Sequence, residues 1–169
     1  TLSLVIEHAG KDAGKKYVTA ALPLLAAHLE SEEPKLRRAA LYGLGVIAEH
    51  GGKLLTRAAA ADVAGKLLAC LSAPDARYSA SIAASEAAAA ALGRFLVHRA
   101  ASLDAAAVLP IWLRWLPLRH SSDDAPIAMS CLCKLLEADA AAVFGADGAA
   151  FPTVLGAMAA AFEDEDTTK

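Results

Sequence analysis

Residues 22–52, LPLLAAHLESEEPKLRRAALYGLGVIAEHGG, restrict the fold more than any other stretch, because they carry two helix-period apolar patterns separated by one proline. Leu22, Leu25, Ala26 and Leu29 recur at the i, i+3, i+4, i+7 spacing that gathers apolar groups on one side of a helix. Residues 30–34 then break that helix. Pro34 has no N–H to leave unpaired, so it suits the first position of a new helix, and it disfavours helical geometry at Glu33 before it. In the second helix Leu36, Ala39, Ala40, Gly43, Leu44 and Ile47 line one face, and Lys35, Arg37, Arg38, Glu49 and His50 supply the polar positions. Gly51-Gly52 is a helix stop that tolerates left-handed dihedrals.

Gly43 and Gly45 each cost about 1 kcal/mol relative to alanine inside a helix, so their presence predicts close approach of a neighbouring helix. The pattern L-P-L-L, acidic turn, E-P-x-L-R-x-A-A, L-G-x-x-A-E-x-x-G resembles a HEAT repeat, the helical pair from which α-solenoids are stacked. Pro23, the acidic residues 30–33 and Leu36-Arg37 occupy the positions that recur in that family. The resemblance implies an all-α chain folded as an α-solenoid of HEAT (armadillo-like) helix-pair repeats. Convex first helices and concave second helices are its expected geometry.

The rest of the chain repeats the plan. Leu2, Val5, Ile6 and Ala9 read as the end of a preceding second helix (1–10), stopped at Gly10. Residues 13–52 make the first full repeat, with helices at 16–29 and 35–50. Residues 53–99 make the next: a helix at 54–71 with Leu55, Ala58, Val63, Leu67, Leu68 and Leu71 inward, a turn at 72–79, and a helix at 81–98. ALGRF at 91–95 follows GLGVI at 43–47 by 48 residues, a long period for such a unit. Residues 103–138 form a third repeat, with helices at 103–116 and 126–138 around a turn at 119–124. A loop at 144–148 precedes a helix at 149–162, and the acidic 163–166 take the place of a turn in a repeat begun at 149–169. No stretch alternates with period two over five residues, so no sheet is predicted. With no Met at position 1 and patterns cut at both ends, the chain is expected to be part of a longer one.

Composition narrows the function classes. A 56% hydrophobic share with only 5% aromatic residues makes alanine the main apolar residue, which favours helix and thin packing. A net charge of −3 argues against a nucleic-acid surface, which needs a basic stripe. Cys70, Cys131 and Cys133 make no disulfide framework and no signal peptide opens the chain, which predicts a reducing compartment. Ala-rich residues 87–92 are soon followed by Arg94, too short a run for a transmembrane helix.

Catalytic and metal constellations are sparse. Glu7-His8 and Glu49-His50 stand 42 residues apart at equivalent repeat positions, and HEAT-like metal-dependent hydroxylases hold iron with His-Glu pairs. Here the order is reversed and His98 has no acidic neighbour, whereas a metal site needs at least three converging ligands. Cys131 and Cys133 lie roughly 200° apart around a helix and read as small packing residues. Neither a nucleophile–base pair nor a Gly-rich phosphate loop emerges, so the chain is read as non-enzymatic, without cofactor or metal. Trp112 and Trp115, at i, i+3, are either packed between repeats or displayed as an aromatic anchor for a partner. With Arg119, Glu86 and Arg94 they make up the candidate partner-binding set.

Val108-Leu109-Pro110, Trp112-Leu113, Trp115-Leu116-Pro117-Leu118, Leu132-Cys133 and Leu135-Leu136-Glu137 stand in the order found in the C-terminal region of the importin-beta superfamily. The likeness is greatest to the karyopherin-beta-3 branch. RRAALYGLGVIA at 37–48 and ASEAAAAALGR at 84–94 are similar to the two preceding repeats of that family. The resemblance implies a segment of a nuclear import receptor that moves between cytoplasm and nucleus. Its partners would be protein cargo, the Ran GTPase and phenylalanine-glycine (FG) nucleoporins, with release of cargo on Ran-GTP binding. Ser81, Ala83 and Ala87 stand where that family often has asparagines, so an asparagine-dependent peptide clamp is not carried over. A generic HEAT scaffold of another multiprotein complex is the alternative, and a HEAT-like hydroxylase a further one.

Overall fold

The computed structural model describes residues 10–166, and all of its regular structure is helical. Among the described residues seven α-helices follow one another: α1 Gly10–Ala27, α2 Pro34–His50, α3 Arg57–Ser72, α4 Ile82–His98, α5 Ala105–Leu113, α6 Asp124–Phe144 and α7 Phe151–Asp166. Short 3-10 turns, Gly52–Leu54, Ala100–Ser102 and Ala146–Gly148, join some of them. Among the described residues there is no strand, and no helix is long and apolar enough to cross a membrane.

The helices pack in sequence order. α1 lies against α2, and α3 against both α4 and α5. α2, α4 and α6 form a row in which α4 contacts both of the others, and α7 rests on α6. α4 is therefore the most enclosed element, with every residue from 84 to 96 buried, Glu86 and Arg94 among them. Its alanines explain how this is possible. Small side chains on all sides let three helices approach one axis without leaving voids.

Gly45 and Gly93 stand where neighbouring helices come close. A Cβ on Gly45 would lie 3.2 Å from the Ala91 Cα, and one on Gly93 would lie 2.9 Å from Cζ2 of Trp112 and 3.2 Å from the Cys131 Cβ. The helix proximity expected from glycine in α2 is thus present at Gly45, and Gly93 in α4 has the same kind of contact. At the end of α2 only Gly52 takes a left-handed φ, +54°, while Gly51 stays helical at −67°.

Several boundaries differ from the sequence reading, each for a local reason. α3 starts at Arg57 rather than 54 because the Thr56 hydroxyl accepts from the Ala59 N–H at 3.2 Å and fixes the first turn there. α5 is shorter than 103–116: Asp104 accepts from the Ala107 N–H at one end, and Pro117 disfavours helical geometry before it at the other. α6 continues beyond 138, but Asp139 is non-helical (φ −160°, ψ 87°) and caps a last turn by accepting from the Ala142 N–H at 3.0 Å. The acidic residues 163–166, read as a turn, continue α7, since no Gly or Pro there breaks a helix that reaches them through alanines 159–161. Gly10, read as a stop, opens α1, and residues 1–9 lie outside the described region.

Two face assignments also change. Leu36, Ala39 and Ala58, expected inward, are exposed, whereas Leu41, Val46 and Ala48 are buried because α2 is covered on more than one side. Cys131 is buried as expected, but Cys133 is exposed, as their opposed helix positions require.

Candidate functional site

The candidate residues divide into two groups around α4. The first is a joint. Trp112 is fully buried and donates its indole N–H to the Ala89 carbonyl at 2.8 Å. Trp115 is 6% exposed, with the Arg77 guanidinium 4.2 Å over its ring, and Arg77 also donates to the Arg114 carbonyl at 2.8 Å. Neither tryptophan has surface to offer a partner; of their two readings, the geometry is that of packing.

Glu86 belongs to the same joint. Its buried carboxylate accepts the backbone N–H groups of Arg119 and His120, both at 2.9 Å, and lies 3.0 Å from His120 Nδ1. A carboxylate survives burial here because three donors converge on it. Trp112, Trp115, Glu86 and Arg119 therefore fix how α5 and the loop after it sit on α4. Arg119 contributes its backbone N–H to this joint.

Arg94 is the exception. It faces a groove of about 320 Å³ lined by Glu49, His98, Pro126, Ile127, Ser130, Cys131 and Lys134, where α2, α4 and α6 meet. Its side chain is 10% exposed, its guanidinium stacks 5.3 Å from the Tyr42 ring centre, and its Nε stands 3.7 Å from the Glu49 carboxylate. His98 Nε2 is 3.6 Å from the other Glu49 oxygen. Glu49 thus lies between two potential cations without closing a hydrogen bond to either. Lys134 stands across the groove on α6.

Burial is the main cause of the shifts in this groove. It pushes the His98 pKa below its ordinary value, against the opposing pull of Glu49. It raises the Cys131 thiol to about 11 despite Lys134 and Arg94 nearby, so this sulfur stays protonated and is no nucleophile.

A clasp closes one side. Arg38 of α2 donates Nη2 to Ser121 Oγ at 2.9 Å and reaches Asp123 at 3.2 Å and Asp124 at 3.3 Å, spanning α4 to the start of α6. Ser121 in turn donates to the buried Asp124 carboxylate at 2.5 Å. A second hollow, about 520 Å³, lies between α5, the end of α6 and α7, and its lining includes Leu109, Pro110, Leu113 and Phe144.

Ser130, Lys134 and the Arg38 clasp were missed in the sequence, and Glu49 and His98 were weighed there only as metal ligands. A signal existed: Arg94 with His98, and Ser130 with Lys134, are i, i+4 pairs that place polar groups on one helix face. Among the described residues no three His, Cys, Asp or Glu side chains are grouped to hold a metal ion, and Glu7-His8 lies outside them. No known protein-family model matches the chain.

Proposed function

We propose that this chain is a stretch of HEAT-type α-solenoid and acts by binding, as a segment of a nuclear import receptor of the importin-beta type. The observation that carries the reading is the position of α4. It is a whole helix enclosed by the second helices before and after it, α2 and α6, in a row where each helical pair is covered by its sequence neighbours. A chain that buries its apolar faces pair by pair presents long continuous surfaces instead of one pocket, and such surfaces suit protein partners. The reactive groups fit this role. The buried thiol of Cys131 and the carboxylate of Glu86 are held in structural environments without a paired nucleophile and base.

In this reading the receptor binds protein cargo, Ran in its GTP form and FG nucleoporins, and moves between cytoplasm and nucleus. The apolar hollow beside α5 has the chemistry to accept a phenylalanine side chain. The tryptophan-rich run at 112–118 serves the fold of the receptor rather than cargo contact. The test is capture of the full-length protein on immobilised Ran. Retention by Ran loaded with a non-hydrolysable GTP analogue, and not by Ran-GDP, is the expected result. Equal or absent retention overturns the receptor reading in favour of a generic HEAT scaffold.

A further inference from the structure

We propose that the groove between α4 and α6 binds an acidic segment of a partner protein, with a carboxylate received by Arg94 and Lys134. This rests on the preceding reading only in treating the chain as a holder of protein partners; it does not depend on Ran.

The first argument is the unmet hydrogen-bonding capacity of Arg94. A guanidinium carries five N–H donors in a planar fork that matches a carboxylate. Among the described residues this one, nine-tenths buried, has only a 3.7 Å approach to Glu49 and the face of Tyr42. A buried charge normally has hydrogen-bonded partners, so an Arg placed like this at a groove wall is arranged for an acceptor that arrives from outside.

The second argument is the sign of the surrounding charge. Arg94, Lys134 and, when protonated, His98 face the groove against Glu49 alone. Asp124, on the far side of Arg94, is already held by Arg38 and Ser121 and does not compete. The carbonyls at the end of α2 would repel an anion, but Arg99 occupies one of them, donating to Ala48 at 2.8 Å, and also donates to Gly52 in the turn that follows at 3.0 Å. The third argument is the wall. Pro126 and Ile127 give the groove an apolar side and Ser130 adds a hydroxyl, which suits an acidic side chain flanked by small apolar ones. The volume lies at the lower end of the roughly 300–1,000 Å³ that ligand clefts span.

The test uses fluorescence anisotropy of the 169-residue chain with a labelled Asp-Leu-Glu-Ala-Glu-Leu peptide and a lysine-substituted counterpart. The acidic peptide is expected to bind saturably and to weaken as salt rises, and the basic one not to bind. Lys134→Glu, at an exposed position, is expected to weaken binding at least tenfold while the circular dichroism melt is unchanged, and Arg94→Gln is expected to weaken it similarly. Arg57→Glu, on α3, is expected to leave affinity unchanged, and Glu49→Gln to tighten it several-fold by removing the competing carboxylate. Equal binding of both peptides, indifference to Lys134→Glu, or full competition by millimolar inorganic phosphate overturns the assignment, the last because it would make the groove a general anion site. Loss of the peptide interaction with Ran-GTP capture intact overturns the groove alone, and the converse overturns only the receptor reading.

Discussion

Gly93→Ala is expected to lower stability although it removes a glycine from a helix. On propensity alone the substitution gains about 1 kcal/mol. Against that, the new methyl would lie 2.9 Å from Trp112 Cζ2 and 3.2 Å from the Cys131 Cβ, where carbon contacts prefer roughly 3.5–4.0 Å. Neither neighbour can yield cheaply. Trp112 is fully buried and tied by its indole N–H to Ala89, and Cys131 is 3% exposed on the opposing helix. Overpacking of this kind costs about 1–3 kcal/mol, so the net effect is a loss of about 1 kcal/mol. Gly65→Ala is the internal control: it is also mid-helix, in α3, but its Cβ would meet nothing within 4 Å, so it keeps the full gain. The two variants should therefore differ by about 2 kcal/mol, or roughly 4–8 °C in thermal midpoint for a chain of this size. Gly93→Leu, with three more carbons in the same space, is expected not to fold. Thermal melts followed by circular dichroism decide the matter. A Gly93→Ala midpoint raised as far as that of Gly65→Ala would refute the close-contact reasoning.

Glu86→Ala leaves the Arg119 and His120 N–H groups without their acceptor and is expected to destabilise by about 2–4 kcal/mol, read from the urea midpoint, with Glu86→Gln costing less. Thiol labelling near pH 8 should modify Cys133 quickly, with Cys131 reacting only in denaturant, because its thiol is buried and shifted to about 11; mass mapping of the labelled peptide checks this. The His98 imidazole is expected to titrate below 6.5 by NMR, and lower still in Glu49→Gln, since the carboxylate is what partly restores its proton. Its depressed pKa makes a contribution to stability that is complete above the unfolded value and lost as pH falls through the folded one. His98→Gln should flatten the acid side of a stability–pH profile accordingly.

The helices were legible because their signals are local. Pro34 opens α2 at the position its ring geometry requires, and the apolar spacing of residues 55–71 places Leu55, Val63, Leu67 and Leu71 inward, where they are buried. What was not legible depends on more than one neighbour. Periodicity assumes one buried face, so it failed for α2 and α4, whose alanines and glycines are enclosed on several sides. Trp112 and Glu86 could be picked out by residue type, but their roles depend on Ala89, Arg119 and His120, from 23 to 34 positions away. The groove was hardest to find. Glu49, Arg94 and Lys134 come from three helices, and no spacing within one of them indicates that they converge.

The polar contacts between helical pairs share one property that bears on that groove. Arg99 ends on carbonyls at the close of α2, Arg77 on the carbonyl that follows α5, Glu86 on free N–H groups before α6, and Arg38 on the residues that begin α6. Each uses backbone or capping groups that a helix end leaves unpaired, so each is satisfied only while neighbouring pairs keep their relative orientation. Rotating α2 or α6 about α4 would expose several such groups at once, in addition to separating Gly45 from Ala91 and Gly93 from Cys131. The row α2–α4–α6 is thereby held at both ends of α4, and the groove it encloses is preformed. In such a frame Arg94 cannot swing out to find a partner. Its fixed fork must be met by a ligand that fits, which is why the groove, rather than any mobile surface, is the place where this chain can select what it binds.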